Sequence, residues 1–243
     1  MDRSGVIDSG SVERLGDLVT VWAHPDDESY LAGGLMAAAT AAGARVTCVV
    51  ATRGERGGPQ DLQAEVAWRR EEELRDALAA LGVDDVVVLG LPDGACAGLD
   101  PTAPVAALAA LVDDRAPDTV VTFSPDGHTG HGDHRAVSAW VGAAVAGRRP
   151  ARPRLLHTAV TEAMAAEGAD VHDRFHVYEP GLPAVCVRPD LAAHLQLDGR
   201  LLDAKIRALR AHVSQTRALE AAIAPDRYRT WVATEAFVDA PPG

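Results

Sequence analysis

Short apolar runs alternate with longer amphipathic ones over the first two thirds of the chain. Residues 18–23, 45–52, 86–91 and 119–123 are brief, rich in Val and little interrupted by polar side chains. Runs of that length and composition suit strands buried on both faces, as in a parallel sheet. Between them the period changes. Leu74, Ala77, Leu78 and Leu81 recur at i, i+3, i+4 and i+7 after Arg70, which predicts one apolar helical face, and Gly82 follows as a C-cap. Residues 31–42, 105–111 and 133–146 read as further helices. Strand and helix in alternation predict right-handed crossovers and a mostly parallel α/β sheet.

The second half is less regular. Residues 155–160 and 184–187 read as strands, Leu202, Ile206, Leu209 and Val213 mark a late amphipathic helix, and 236–238 reads as a last strand. The Pro- and Arg-containing stretch 148–154 reads as a connector rather than a domain boundary. Residues 1–16 are polar and contain Gly and Ser, which predicts a flexible N-terminal arm before a single catalytic domain over 17–243. A chain of 243 residues suits one such domain.

Composition narrows the partners. The formal net charge of −12 repels phosphate backbones and anionic lipid, so neither nucleic acid nor a membrane surface is expected to bind. No apolar run reaches the roughly 20 residues of a membrane span. No basic segment followed by an apolar one opens the chain, so a cytoplasmic location is the default expectation. Cys48, Cys96 and Cys186 are odd in number and far apart, against a disulfide scaffold or a thiolate zinc site. Cys48 and Cys186 sit in apolar runs and read as core residues.

The chemistry lies just after two strands. The first runs into Ala23-His24-Pro25-Asp26-Asp27-Glu28, and the fourth into Ser124-Pro125-Asp126-Gly127-His128-Thr129-Gly130-His131-Gly132-Asp133-His134. Ligands of open α/β sheets bind beyond the carboxyl ends of the strands. If these strands are parallel, both loops open on one edge and their histidines and carboxylates converge. Two imidazoles and one carboxylate leave coordination positions open, which suits catalytic zinc and also iron(II). Asp26 and Asp27 could equally cap the following helix. Glu28 reads as a helix-start or supporting residue, and the Glu71-Glu72-Glu73 run as a solvated helix face. His128 is balanced between pocket wall and solvated loop, and His212 has no comparable context.

The strings AHPDDE at 23–28 and GHGDH at 130–134 resemble the PIG-L or LmbE-like N-deacetylases. Weaker pieces run along the chain: Thr52-Arg53-Gly54-Glu55, Arg70 with Glu73-Leu74, Leu91-Pro92-Asp93-Gly94, Lys205, and His212 with Ser214-Gln215. Gly132 stands where the family more often has proline, and Thr129 where the mycothiol-pathway members carry a tyrosine. The resemblance implies a Rossmann-like three-layer α/β fold with the metal site at the carboxyl ends of the strands. It implies hydrolysis of an N-acetyl amide on an N-acetylglucosamine-type conjugate. Position by position, it implies His24, Asp27 and His134 as ligands of one Zn2+, with Fe2+ or another divalent ion as the alternative. It implies Asp26 as general base, His131 as general acid, and Asp133 as the group that orients His131. Arg70 and Asp93 match positions that contact the sugar or its aglycone. The expected partner is a small amino-sugar conjugate, and a homo-oligomer stays open.

Three rival readings share some of these features. An amidase of the same family would cleave a larger N-acyl group with the same metal site. An iron(II) oxygenase would use the same ligand types, but on an all-β barrel. A nucleotide-binding module would need a G-x-G-x-x-G or a G-x-x-x-x-G-K-[ST] loop, and the sequence has neither.

Overall fold

The structure is a computed structural model and describes residues 6–146, 152–187 and 190–241. The four Val-rich runs form β1 (Leu18–Trp22), β2 (Val46–Thr52), β3 (Asp85–Leu91) and β4 (Thr119–Thr122). The helices between them are α1 (Asp27–Ala41), α2 (Gln63–Leu81) and α3 (Thr102–Arg115), and α4 (Gly132–Ala146) follows β4. Gly82 takes the left-handed conformation at φ 76° that ends α2. α2 starts well before Arg70, because Gln63–Arg69 is helical with only Val66 buried and so carries no apolar stripe.

The chain continues through β5 (Arg154–Thr158), β6 (Val160–Thr161), α5 (Glu162–Phe175), β7 (Val185–Cys186) and β8 (Leu191–Gln196). It closes with α6 (Gly199–Ala211), α7 (Val213–Ile223), α8 (Pro225–Trp231) and β9 (Thr234–Asp239). The seven-stranded sheet has the order β3-β2-β1-β4-β5-β9-β8. Its first five strands pair in parallel, and β9 runs antiparallel to both neighbours. The chain moves outward from β1 to β3 and then returns to β4 beside β1. With right-handed crossovers, that reversal puts α1 and α2 on one face and α3 and α4 on the other. α6 packs with α1 and α2, and α3 with α4, as this requires.

Two expectations change. The run 155–160 is not one strand: β5 ends at Thr158, the Ala159 amide turns to Ala236 O at 2.8 Å, and β6 pairs with β7 in a separate two-stranded sheet. The start of the chain, from Val6 to Gly16, is not loose. Ile7 bridges Ala193 beside the sheet, and Val12 and Leu15 are buried in a short 3-10 helix. Three apolar side chains suffice to dock a segment whose composition is otherwise polar. The expected connector at 148–154 falls partly on 147–151, outside the described residues. Cys48 is buried, Cys186 half-buried, and all three cysteines are free. Among the described residues no helix is long and apolar enough to cross a membrane.

Candidate active site

β1 and β4 are adjacent and parallel, yet the chain leaves them in opposite directions across the sheet. Such a reversal opens a crevice at the carboxyl ends of the two strands. Both polar loops lie there. Beneath them Trp22 and Phe123 meet edge to face at 5.2 Å between ring centroids, and Phe123 stacks on the His134 ring at 4.1 Å.

Three donor groups converge. His134 Nε2 lies 3.3 Å from His24 Nδ1 and 3.4 Å from Asp27 Oδ1, and His24 Nδ1 lies 3.5 Å from Asp27 Oδ2. A tetrahedral zinc with bonds of 2.0–2.1 Å separates its ligand atoms by about 3.3 Å. The donor set therefore fits a divalent ion on spacing as well as on chemistry. His24, His131 and His134 also come together, with ligand atoms within 4.8 Å. Asp27 is the better third ligand: its carboxylate is buried and reaches both other donors, whereas His131 is exposed.

Each imidazole is turned by its other nitrogen. His134 Nδ1 donates to Gly127 O at 3.0 Å, which leaves Nε2 free to bind an ion. His24 Nε2 faces Asp93 Oδ1 at 3.0 Å and Asp133 Oδ2 at 3.3 Å, which leaves its Nδ1 free. Burial opposes charge on His24, but Asp133, Asp27 and Asp93 outweigh it and hold the ring well above its ordinary pKa. Burial alone would push the Asp27 carboxyl up, yet His134 and His24 bring it below the usual carboxylate range.

Asp26 sits at the edge of this set with φ 117°, a conformation costly for any residue but glycine. Remote groups hold it there. Its amide donates to Glu28 Oε2 at 2.8 Å, and Arg70 reaches its Oδ2 at 3.2 Å while bonding Pro25 O and Gly54 O. Gly54, at φ 65°, leaves room for that guanidinium where a Cβ would collide with it. Burial pushes the Asp26 carboxyl up to about 6 against the pull of Arg70. Neither Asp26 nor Asp27 caps α1 with its side chain; the Asp27 carboxylate instead accepts the His24 amide at 2.8 Å.

The sequence missed the far end of this network. His212, fully buried, bonds Glu28 Oε1 at 2.6 Å, and Ser29 Oγ bonds the same oxygen at 2.6 Å. The pairing of His212 with Ser214 and Gln215 was visible as a motif, but nothing in one sequence joins positions so far apart.

Two expected site residues have partners the sequence did not suggest. The Asp133 carboxylate bonds away from His131. It accepts the Gly94 amide at 2.7 Å and the Cys96 amide at 3.0 Å, and it faces His24. His131 instead accepts the Asp133 main-chain N–H on its Nδ1 at 3.2 Å, so the neutral ring carries its proton on Nε2. Asp93 already has partners on both oxygens, His24 on Oδ1 and the Arg56 amide at 2.8 Å on Oδ2.

Two cavities flank the donor set. One, of about 590 Å³, is an open polar cleft lined by His24, Arg56, Arg70, Asp93 and His131. The other, of about 310 Å³, is largely apolar and lined by Tyr30, Leu31, Met164, Tyr178, Leu219 and Trp231. Asp26, Thr129, His134 and Gln215 line both and form the wall between them.

Comparison with known proteins gives consistent matches. Residues 19–145 match the family described as PIG-L, GlcNAc-PI de-N-acetylase. A protein of Actinosynnema mirum named 1D-myo-inositol 2-acetamido-2-deoxy-alpha-D-glucopyranoside deacetylase is 38% identical, covering 82% of this chain and 80% of its own length. A conserved protein of Thermus thermophilus has a similar structure, with a TM-score of 0.63 and 27% identity, covering 93% of this chain and 95% of that one. The N,N'-diacetylchitobiose deacetylase of Pyrococcus horikoshii shares the fold, with a TM-score of 0.61 at 20% identity, covering 93% and 84%.

Proposed function

The chain belongs to the PIG-L family of GlcNAc-PI de-N-acetylases, and from that premise we propose that it is a metal-dependent hydrolase that removes an N-acetyl group from an N-acetylglucosamine-type conjugate. The observation that carries this reading is the triangle of His24 Nδ1, Asp27 and His134 Nε2, with edges of 3.3–3.5 Å, at the wall between a polar cleft and an apolar chamber. Zinc is the proposed ion, because nitrogen and carboxylate donors in an open three-ligand set suit it.

A divalent ion bound there polarises the amide carbonyl and acidifies water. The remaining work falls to side chains. Asp26 is beside a proposed ligand and lines both cavities, placed to accept the proton of the attacking water. Arg70 and Glu28 hold its strained backbone and carboxylate in one position, which is the preorganisation such a transfer needs. His131 carries its proton on Nε2, so it can donate to the carbonyl oxygen as negative charge develops there and then to the departing nitrogen. Asp93 and Asp133 fix the His24 ring, and Asp93 also faces the polar cleft. The polar cleft, with Arg56 and Arg70 in its wall, suits a hydroxyl-rich amine half of the substrate.

The test is acetate release from a panel of N-acetylglucosaminides, including an inositol conjugate, by zinc-loaded protein with and without a chelator. Release that the chelator abolishes is the expected result. No acetate from any glucosaminide would end this reading.

A further inference from the structure

An amide has two halves, and the two cavities that meet at the donor set differ in character. The polar cleft suits the amine half. An amide spanning the shared wall of Asp26, Thr129, His134 and Gln215, with its amine half in the cleft, places its acyl half in the chamber. An acetyl group presents only one methyl beyond its carbonyl carbon. The chamber, of about 310 Å³, is far larger than one methyl requires. Its surface is mostly apolar: Leu31, Met164 and Leu219 are aliphatic and Tyr30, Tyr178 and Trp231 present rings, while His128, Thr158, His172, Thr234 and Glu235 add polar groups. The polar tips of two of the rings are already engaged. Tyr228 donates its hydroxyl to Tyr30 Oη at 3.0 Å, and Trp231 Nε1 donates to His172 at 3.2 Å. The inner wall is backed by β6 and by the start of β9.

We propose, building on the hydrolase reading above, that this chamber is an acyl subsite and that the enzyme prefers amides whose acyl group is a linear, apolar chain of about six to ten carbons. Acetyl is then the smallest acyl group the site takes. The chemistry is unchanged: water adds across the C–N bond, its oxygen goes to the acyl carbon to give a carboxylic acid, and hydrogen goes to the nitrogen to give the free amine. Met164, Tyr178, Leu219 and Trp231 all lie beyond residue 145, past the segment that matches the family model.

Two measurements on the zinc-loaded protein test this. The first is amine release from N-acylglucosamines with acyl chains from acetyl to dodecanoyl. Each methylene buried in the chamber should raise kcat/KM about three- to fourfold. The maximum is expected between hexanoyl and decanoyl, with a fall at dodecanoyl when the chamber is full. The second is binding of the free linear acids from acetate to decanoate, read by calorimetry, which should tighten with length in the same way. Leu219→Trp and Met164→Trp each fill part of the chamber and should lower the ratio of octanoyl to acetyl kcat/KM at least tenfold. Acetyl release with no gain for longer chains, and acids that bind without length dependence, overturn the subsite and leave the deacetylase reading standing. Length-dependent acid binding without cleavage of any amide keeps the subsite and overturns the hydrolase reading. An unchanged ratio in both filled variants, each folded and metal-loaded, also overturns the subsite.

Discussion

The two loops that build the donor set differ in how far they lean on distant groups. The loop after β4 is held largely from within, although Thr158 bonds the Ser124 amide and the His128 ring and the Glu179 amide bonds Thr129 O. Ser124 and Asp126 bond the His128 amide, Gly127 N bonds Ser124 O at 2.8 Å, and Gly127 O turns His134 from seven residues away. The loop after β1 is held from a distance. Arg70 secures Asp26, Asp93 and Asp133 secure His24, and His212 secures Glu28 from 184 residues along the chain. The difference teaches where distant substitutions will act. A change far along the chain reaches the first loop through Arg70, Asp93 and His212, and the second through Thr158 and Glu179.

The sharpest way to break the comparison is to remove ligands from each loop. His24→Ala and Asp27→Ala in the first loop, and His134→Ala in the second, should each abolish stoichiometric zinc binding and activity, because a three-ligand site tolerates no loss. Metal analysis after dialysis checks this. Full zinc occupancy in His134→Ala alone would remove the second loop from the site.

Next in size are the proposed proton-transfer groups, again one in each loop. Asp26→Asn and His131→Ala should retain metal and lower kcat by about 10²–10⁴-fold. Steady-state kinetics on metal-loaded variants decides between them, and near-normal turnover in either one frees that residue from the mechanism.

The support itself can be weighed by unfolding. His212→Ala leaves the Glu28 carboxylate buried without its partner, and breaking such a pair should cost about 3–5 kcal/mol. Ser124→Ala removes hydrogen bonds near the surface of the second loop and should cost about 1 kcal/mol. Urea titrations of the two variants measure the contrast. Equal losses would mean that the first loop does not depend on its remote partners.

The smallest effect distinguishes two roles for one residue. If Asp93 fixes the His24 ring, Asp93→Asn should weaken zinc binding about 10–100-fold. If it contacts sugar instead, zinc affinity should stay unchanged while KM rises. Competition with a chromophoric chelator reads the first outcome.

Legibility in the sequence follows the same division. β1 to β4 emerge within a residue or so of their ends because helices cover both faces of a parallel sheet, which forces continuous apolar runs. β8 did not emerge, since Leu191–Gln196 mixes Leu and Ala with His194 and Gln196 and becomes a strand through β9 and Ile7. α5 was also silent: among its residues only Gly168 and Val171 are buried, too few to mark a stripe. At the site, residue identities in both loops were legible as strings of His and Asp. The partnership of Asp133 with His24 rather than with its near neighbour His131 was not, because it depends on how β3 and α4 meet in space.

The roof of the apolar chamber has a consequence for how the protein comes into being. His134 is the last of the three proposed ligands to be made, whereas Trp231 and the final strand that backs the chamber are made about a hundred residues later. At ribosomal speeds of about 5–20 residues per second, that interval is roughly 5–20 s. During it the donor triangle and the five parallel strands can assemble and Arg70 is already present to hold Asp26, while Glu28 still waits for His212. The proposed metal ligands are thus all in place in the nascent chain before its chamber is roofed.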